Sequence, residues 1–330
     1  MKTLVTGGAG FIGSHLVDAL LDLGHEVVVL DNFSTGRQEN IAHIADHIEI
    51  VECDVGSKGK WDQKFSNVDW VFHLAALADI VPSIQDPESY FRSNVVGTFN
   101  VLQASTLAKI DRLVYVASSS SYGIPKSYPT PESESIDPQY PYALTKHMGE
   151  EVALHWQRVY QVPVISLRFF NVYGPRARTS GTYGAVFGVF LAQKLAGVPF
   201  TVVGTGDQTR DFTYVSDAVS ALITAASSDN TGVVYNVGSG ETVSINTIVN
   251  LLGGEKVHIP KRPGEPDCTF AAISKIKKEL MWEPKISIEE GVSLLLKNIS
   301  YWEGAPVWTP SKIADATKDW FNHLGNSSTE

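Results

Sequence analysis

The chain has 330 residues, 43% of them hydrophobic and 19% charged, enough apolar material for one large domain or two modest ones. A formal net charge of −10, with no basic stripe to offset it, argues against a nucleic-acid partner. Cys53 and Cys268 are too far apart for a disulfide framework or a zinc site, and no window reaches the ~18 apolar residues of a membrane span, so the reducing cytoplasm is the expected compartment.

Through the first half, short apolar runs alternate with stretches of helical spacing. Residues 3–6, 26–30, 48–52, 69–74, 112–117 and 162–167 are predicted strands, buried on both faces. Between them, 12–23, 87–108 and 142–160 are predicted helices. This alternation calls for parallel strands joined by right-handed crossovers: an α/β fold with a doubly wound parallel sheet. After Gly174 the texture shifts to glycines, prolines and short mixed elements, with helical spacing at 216–226, 244–252 and 288–299. The expected organisation is a first domain over 1–173 to which 210–237 returns, a smaller α+β lobe from 174–209 and 238–300, and an extension over 301–330. Trp302, Trp308 and Trp320 are expected on one terminal helix that packs on the rest, with 326–330 disordered.

Two places along this pattern carry chemistry. The run Thr6-Gly7-Gly8-Ala9-Gly10-Phe11-Ile12-Gly13 follows the first strand and opens the first helix. Glycine lets the chain turn tightly and approach a pyrophosphate, and the helix start offers that anion free N–H groups. The same glycines interrupt the apolar start of the chain, so no signal peptide is expected there. Asp31, closing the second strand, can accept both ribose hydroxyls of an adenosine and would repel a 2′-phosphate, which favours NAD over NADP, while Arg37 nearby pulls the other way. Asp54 and Val55 follow the third strand, where a carboxylate can meet the adenine amino group. Small residues after His73 (Ala75, Ala76) would let a dinucleotide lie against the backbone. His73 itself reads as a packed strand-end histidine.

The second place is Tyr142-Ala143-Leu144-Thr145-Lys146, a phenol and an ammonium one helical turn apart. Free tyrosine titrates at about 10, and a neighbouring cation is expected to draw that value down into the range of a useful base. Ser118, Ser119, Ser120 and Ser121 end the strand before this helix. Hydroxyls there point into the crevice where open α/β sheets bind ligands, and can orient a sugar hydroxyl toward the tyrosine.

With these motifs the sequence resembles the extended short-chain dehydrogenase/reductase family and, within it, the nucleotide-sugar 4-epimerases, from Lys2 to about Ile299. The resemblance also rests on Asp31-Asn-Phe-Ser-Thr-Gly36, Asn94-Val-Val-Gly-Thr98, Arg168-Phe-Phe-Asn-Val-Tyr-Gly174, Arg210-Asp-Phe-x-Tyr-Val215 and Arg262-Pro-Gly-Glu265. It implies a Rossmann domain holding NAD through Gly7, Gly10, Phe11, Ile12, Asp31, Asn32, Ser34, Thr35 and Gly36. Further cofactor contacts implied are Asp54, Val55, Leu74, Ala75, Ala76, Ala78, Asn94 and Phe169, together with Tyr142 and Lys146. A nucleotide sugar, most commonly a UDP-sugar, is implied at Ser83, Ser118, Asn171, Val186, Glu265 and Thr269, with Arg210 and Arg262 clamping its diphosphate. A homodimer through the helices 87–108 and 142–160 is implied as well.

The mechanism implied is transient oxidation at the sugar's carbon 4. Tyr142 takes the proton of the 4-hydroxyl, Ser118 holds that hydroxyl with Ser119 and Ser120 behind, the ketone turns about its diphosphate linkage, and reduction on the other face inverts the centre. The family's 4,6-dehydratases resemble each other in carrying an Asp-Glu pair where Ser119 and Ser120 stand, and its decarboxylases usually a glutamate at the second position, so epimerase is preferred. A related dehydratase, decarboxylase or 4-keto reductase remains the alternative, with a non-catalytic NAD-sensing module as the reading from another class. Thr269 stands where a large tyrosine narrows the pocket in the resemblance, which suggests that N-acetylated hexoses are accepted.

Overall fold

The computed structural model describes residues 1–177 and 184–325. One sheet organises it, built from β1 (Lys2–Thr6), β2 (Glu26–Asp31), β3 (Glu49–Glu52), β4 (Trp70–His73), β5 (Arg112–Ser118), β6 (Val164–Phe169) and a seventh strand, Val233–Val237. The spatial order is β3-β2-β1-β4-β5-β6 followed by Val233–Val237, and every pairing is parallel. This is the doubly wound sheet expected from the alternation of strands and helices, of the Rossmann type.

Side chains alternate across the strands, and both faces are covered. Val5, Val27 and Val29 face a core shared with Leu16 and Leu20 of the helix Phe11–Asp22 and Leu222 of the helix Val215–Ser227. Leu4, Val28 and Leu113 face the opposite core, with Val101 and Leu102 of Gly97–Ala108 and Ala153 of Pro141–Tyr160. The exception is β3. It was expected to be buried on both faces, yet Glu49, Ile50 and Glu52 are exposed, because β3 is the outer edge of the sheet and pairs only with β2. Glutamates on an edge discourage pairing with another chain.

The predicted helix 87–108 is interrupted. Pro87–Phe91 and Gly97–Ala108 are joined by a π-turn, Arg92–Val96, which seats Asn94 inward. Such wide turns cluster at functional sites.

The smaller lobe has its own core, in which Phe187, Phe190, Phe200, Leu252, Leu295 and Trp302 pack together. Two parallel strands (Phe200–Val203 with Lys256–Ile259) and a three-stranded sheet (Val243–Ser244, Thr209–Arg210, Cys268–Thr269) frame it. Not all of 238–300 stays in this lobe: Ala271, Ile273, Ile276, Leu280 and Trp282 pack into the core under the large sheet. The extension is broken into a tight turn, Ile299–Trp302, and two short helices, Pro310–Ala316 and Lys318–Leu324. Gly304, Pro306 and Pro310 prevent the single helix expected for its three tryptophans: Trp302 sits in the turn, Trp308 between elements and Trp320 on the last helix. Positions 326–330 lie outside the described residues. Among the described residues no helix is long and apolar enough to cross a membrane.

Candidate active site

The carboxyl ends of the central strands open into one cavity of about 660 Å³, at the point where β1 is flanked by β2 on one side and β4 on the other. Its sheet wall is formed by Gly7, Gly10, Phe11, Ile12, Asp31, Asn32, Ser34, Thr35, Gly36, Asp54, Val55, Leu74, Ala75, Ala76, Ala78 and Phe169. Ser118, Ser119, Ser120, Tyr142 and Lys146 line its centre, and Asn171, Val186, Arg210, Arg262, Glu265 and Thr269 its far wall.

At the sheet wall, Gly7 has φ of +73°, and a Cβ on it would come within 2.8 Å of the Ala75 backbone nitrogen. Only glycine lets the β1 turn lie against the segment that leaves β4. Gly13 lets the helix Phe11–Asp22 close onto that turn, since a Cβ there would meet the Gly7 carbonyl oxygen at 2.1 Å. No side chain caps this helix, so its first N–H groups are offered to the cavity. Asp31 is 6% exposed and accepts the N–H of Ala9 (2.9 Å) and of Phe33 (2.8 Å). Burial raises its pKa, and the N–H bonds of Phe33, Ala9 and Asn32 oppose that rise. A tight glycine turn, an uncapped helix start and a carboxylate at the next strand end together fit the pyrophosphate and ribose of NAD.

At the centre, Pro141 in the first turn of the helix Pro141–Tyr160 fixes the helix start and sets Tyr142 on the cavity wall. The Tyr142 hydroxyl donates to Ser118 Oγ at 3.2 Å, Ser118 Oγ lies 2.7 Å from Ser120 Oγ, and the Ser120 N–H donates to Ser118 Oγ at 3.2 Å. Lys146 is buried, with Nζ 4.6 Å from the centre of the Tyr115 ring. Burial pushes the Lys146 pKa down to about 7, against the pull of the Glu150 carboxylate. Contrary to the expected lowering by a neighbouring cation, Tyr142 is raised. Burial, with the Asp79 carboxylate adding to it, outweighs the hydroxyls of Ser118 and Ser120. Glu150 itself is fully buried and accepts from Arg168 at both oxygens (Nε to Oε1 at 3.2 Å, Nη2 to Oε2 at 2.6 Å) and from Ser166 at Oε1. Burial alone would raise it, but His147 at 3.9 Å and the bonds to Arg168 and Ser166 hold its pKa low.

The far wall is tied together by side chains. Asn171 Nδ2 donates to Thr269 Oγ1 (2.7 Å) and to the Asp211 carbonyl (3.1 Å). The Glu265 carboxylate is shared by two guanidiniums, with Arg210 Nη2 at 3.0 Å and Arg262 Nη1 at 3.7 Å.

Two sequence readings are relocated, Asn94 and Ser83, while His73 is packed as read. Asn94 does not line the cavity: its amide bonds the Leu77 backbone both ways and Thr145 Oγ1, so it pins the loop after β4 to the helix that carries Tyr142. Ser83 is also off the wall, its hydroxyl donating to the Ile80 carbonyl within its own short helix. His73 is buried between Thr6 and Thr98 (2.7 and 2.9 Å) and, with its pKa pushed down to about 3 by burial and then by Lys146, stays neutral. Among the wall residues that went unread are Tyr140 and Trp320. Tyr140 stacks on Tyr142, ring centres 6.4 Å apart, and Pro141 beside it was the available sign of a helix start facing the crevice. Trp320 reaches the wall from the extension, and nothing in its local sequence signals that.

Residues 3–238 match the NAD dependent epimerase/dehydratase family. The chain is 35% identical over 308 residues to the UDP-glucose 4-epimerase of Mycolicibacterium smegmatis, covering 89% of this chain and 96% of that protein. It is 35% identical over 311 residues to UDP-glucuronic acid decarboxylase 1 of Arabidopsis thaliana, covering 90% of this chain and 69% of that one. A crystal structure of UDP-glucuronic acid 4-epimerase from Bacillus cereus, in complex with UDP-glucuronic acid and NAD, superposes with a TM-score of 0.84 at 33% identity, over 91% of this chain and 99% of that chain. The cavity geometry and these likenesses agree: the chain belongs to the NAD dependent epimerase/dehydratase family, as an NAD-dependent epimerase of the extended short-chain dehydrogenase/reductase type.

Proposed function

We propose that the protein is a nucleotide-sugar 4-epimerase that keeps NAD tightly bound and uses Tyr142 as its base. The observation that carries this reading is the Tyr142–Ser118–Ser120 hydroxyl chain, set in one cavity between a dinucleotide-type glycine turn and a pair of arginines. The M. smegmatis and B. cereus proteins, by what they are named for and hold, support a UDP-linked substrate.

In this reading Ser118 holds the sugar's 4-hydroxyl against Tyr142, which takes its proton, while Ser120 fixes the Ser118 oxygen from behind with Ser119 beside it. NAD, when bound, supplies the acceptor and donor of the hydride exchanged at carbon 4. Lys146 holds the nicotinamide ribose and stabilises the phenolate. Arg210 and Arg262 grip the diphosphate while the 4-keto sugar turns about that linkage, and Tyr142 then returns its proton to the inverted oxygen. Asp31 favours NAD over NADP, since Arg37 is engaged by the Tyr301 ring (5.3 Å) and by Glu39 (3.5 Å). The acetamido group of an N-acetylhexosamine is accommodated at Thr269. Exposed Phe91, Phe99, Leu107, Leu144 and Val159 along the helical run 87–108 and the helix Pro141–Tyr160 support a homodimer. Two free cysteines suit the reducing cytoplasm.

The A. thaliana relative favours one second reading, decarboxylation of a UDP-uronic acid. Ser119 and Ser120, with no carboxylate between Ser118 and Tyr122, weigh against it. The deciding experiment incubates the enzyme, without added NAD, with UDP-glucose, UDP-GlcNAc and UDP-glucuronic acid, and follows the products by mass and proton NMR. A stereoisomer of equal mass, inverted at carbon 4, is expected. Loss of carbon dioxide or of water would overturn the epimerase reading.

A further inference from the structure

We infer that Trp320, supplied by the extension, is a positioning residue for the substrate's diphosphate: it orients the Arg262 guanidinium and, with Tyr140, closes the wall of the cavity beside the catalytic tyrosine. The inference rests on the reading above, in which Arg262 grips that diphosphate.

Trp320 is only 2% exposed, yet it forms part of the cavity wall. The centre of its ring lies 5.4 Å from Arg262 Cζ and 6.4 Å from the centre of the Tyr140 ring, which in turn stacks on Tyr142. Its indole N–H donates to the Pro263 carbonyl at 2.8 Å, which fixes the backbone next to Arg262. One side chain therefore links the arginine, the arginine's own loop and the start of the catalytic helix. The helix Lys318–Leu324 is held from another direction by Gln85 Nε2, which donates to Asp319 Oδ2 at 2.8 Å. Trp320 is thus an anchored surface against which Arg262 is set.

The chemistry of the contact suits an anion grip. A carboxylate that pairs with a guanidinium competes for the same in-plane N–H groups that a diphosphate would use. An aromatic face attracts the cation from above its plane and competes for none of them. Glu265 lies at 3.7 Å from Arg262 Nη1, beyond a hydrogen bond, whereas it approaches Arg210 to 3.0 Å. Glu265 therefore orients Arg210 more strongly than Arg262, whose guanidinium is also met by the indole face. The glycine turn and Asp31 belong to the sheet wall, whereas Trp320 meets Tyr140, Arg262 and Pro263, so loss of its ring should leave NAD in place.

The test uses the full chain loaded with NAD, with Trp320→Leu, Trp320→Phe and Arg262→Ala, alone and combined. Affinity for UDP is measured by calorimetry (dTDP and GDP alongside, the tightest being used), and KM and kcat with UDP-glucose. Trp320→Leu should weaken UDP by roughly 5- to 20-fold and raise KM in proportion, with kcat within about twofold. Trp320→Phe, which keeps a ring face, should recover most of the affinity, and Trp320→Leu should cost little more once Arg262 is already alanine. Unchanged UDP affinity in Trp320→Leu, or its full cost persisting in the Arg262→Ala background, would overturn the inference while leaving the epimerase reading intact. If Trp320→Leu fails to fold, Trp320→Phe decides: about twofold weaker UDP is expected from releasing Pro263, and no change overturns the proposal. A wild-type enzyme that binds none of the three diphosphates overturns the nucleotide-sugar reading itself.

Discussion

The two walls of the cavity are built by different means. On the sheet side, the ligand-facing residues stand at or just after the ends of consecutive parallel strands, so the backbone alone places them: Gly7 to Ile12 after β1, Asp31 to Gly36 after β2, Asp54 and Val55 after β3, Leu74 to Ala78 after β4. On the far side, Val186, Arg210, Arg262, Glu265, Thr269 and Trp320 come from separate short elements, brought together by side-chain bonds across 55 to 98 residues of sequence, such as Arg210–Glu265, Trp320–Pro263 and Asn171–Thr269. A wall fixed by strand geometry suits a cofactor common to a whole family. A wall assembled from side chains can be retuned one contact at a time for a different sugar.

The largest expected effect lies between the walls. Tyr142→Phe should lower kcat on the accepted UDP-sugar by about 10³-fold while the protein still purifies with NAD. Near-normal turnover in steady-state assays would remove Tyr142 from the mechanism. On the sheet wall, Gly13→Ala drives a methyl group toward the Gly7 carbonyl. It should destabilise the fold by about 1–3 kcal/mol in urea titration and abolish cofactor retention; a variant that retains both would show that this turn is more pliant than its geometry implies. On the far wall, Thr269→Tyr should cut kcat/KM for UDP-GlcNAc by about tenfold or more relative to UDP-glucose. Equal losses for both sugars would mean that the damage runs through Asn171, whose amide Thr269 holds, and not through pocket size.

The smallest expected effect concerns Lys146. Its pKa is about 7 in the fold, against 10.5 for the unperturbed group. Below pH 7 it is protonated in both folded and unfolded states, and the fold bears the whole cost of burying an ammonium. Between 7 and 10.5 only the unfolded chain still holds the proton, so stability from this group climbs with pH. Lys146→Met should therefore raise Tm by a few degrees at pH 6, with the gain shrinking toward pH 10. A gain that does not vary with pH in calorimetric scans would show that the buried charge is compensated by Glu150.

The same contrast explains what could be read in advance. The sheet, its order-defining alternation and the residues at strand ends were legible because strand periodicity and glycine chemistry are local. The exposure of β3 was not, since an edge strand and a central one share the same apolar spacing in Ile48 to Val51. The π-turn at Arg92–Val96 escaped because one extra residue barely shifts a helical pattern. Asn94 and Ser83 were assigned to ligands, whereas their bonds go to Leu77, Thr145 and Ile80, partners that only the tertiary fold supplies for the first and a single helical turn for the second. The broken extension was foreshadowed by Gly304, Pro306 and Pro310. The place of Trp320 at the cavity was not foreshadowed at all, since its partners Tyr140, Arg262 and Pro263 come from distant loops.

Glu150 lies about two turns beyond Tyr142 on the same helix, gripped by the Arg168 guanidinium that projects from β6. That pair works as a key in a slot, leaving the helix unable to roll about its long axis. In the proposed reaction the phenol oxygen would then keep one heading. On the epimerase proposal, a phenol so held would face one side of the flat carbonyl only, and inversion would come from the guest turning over inside a stationary host.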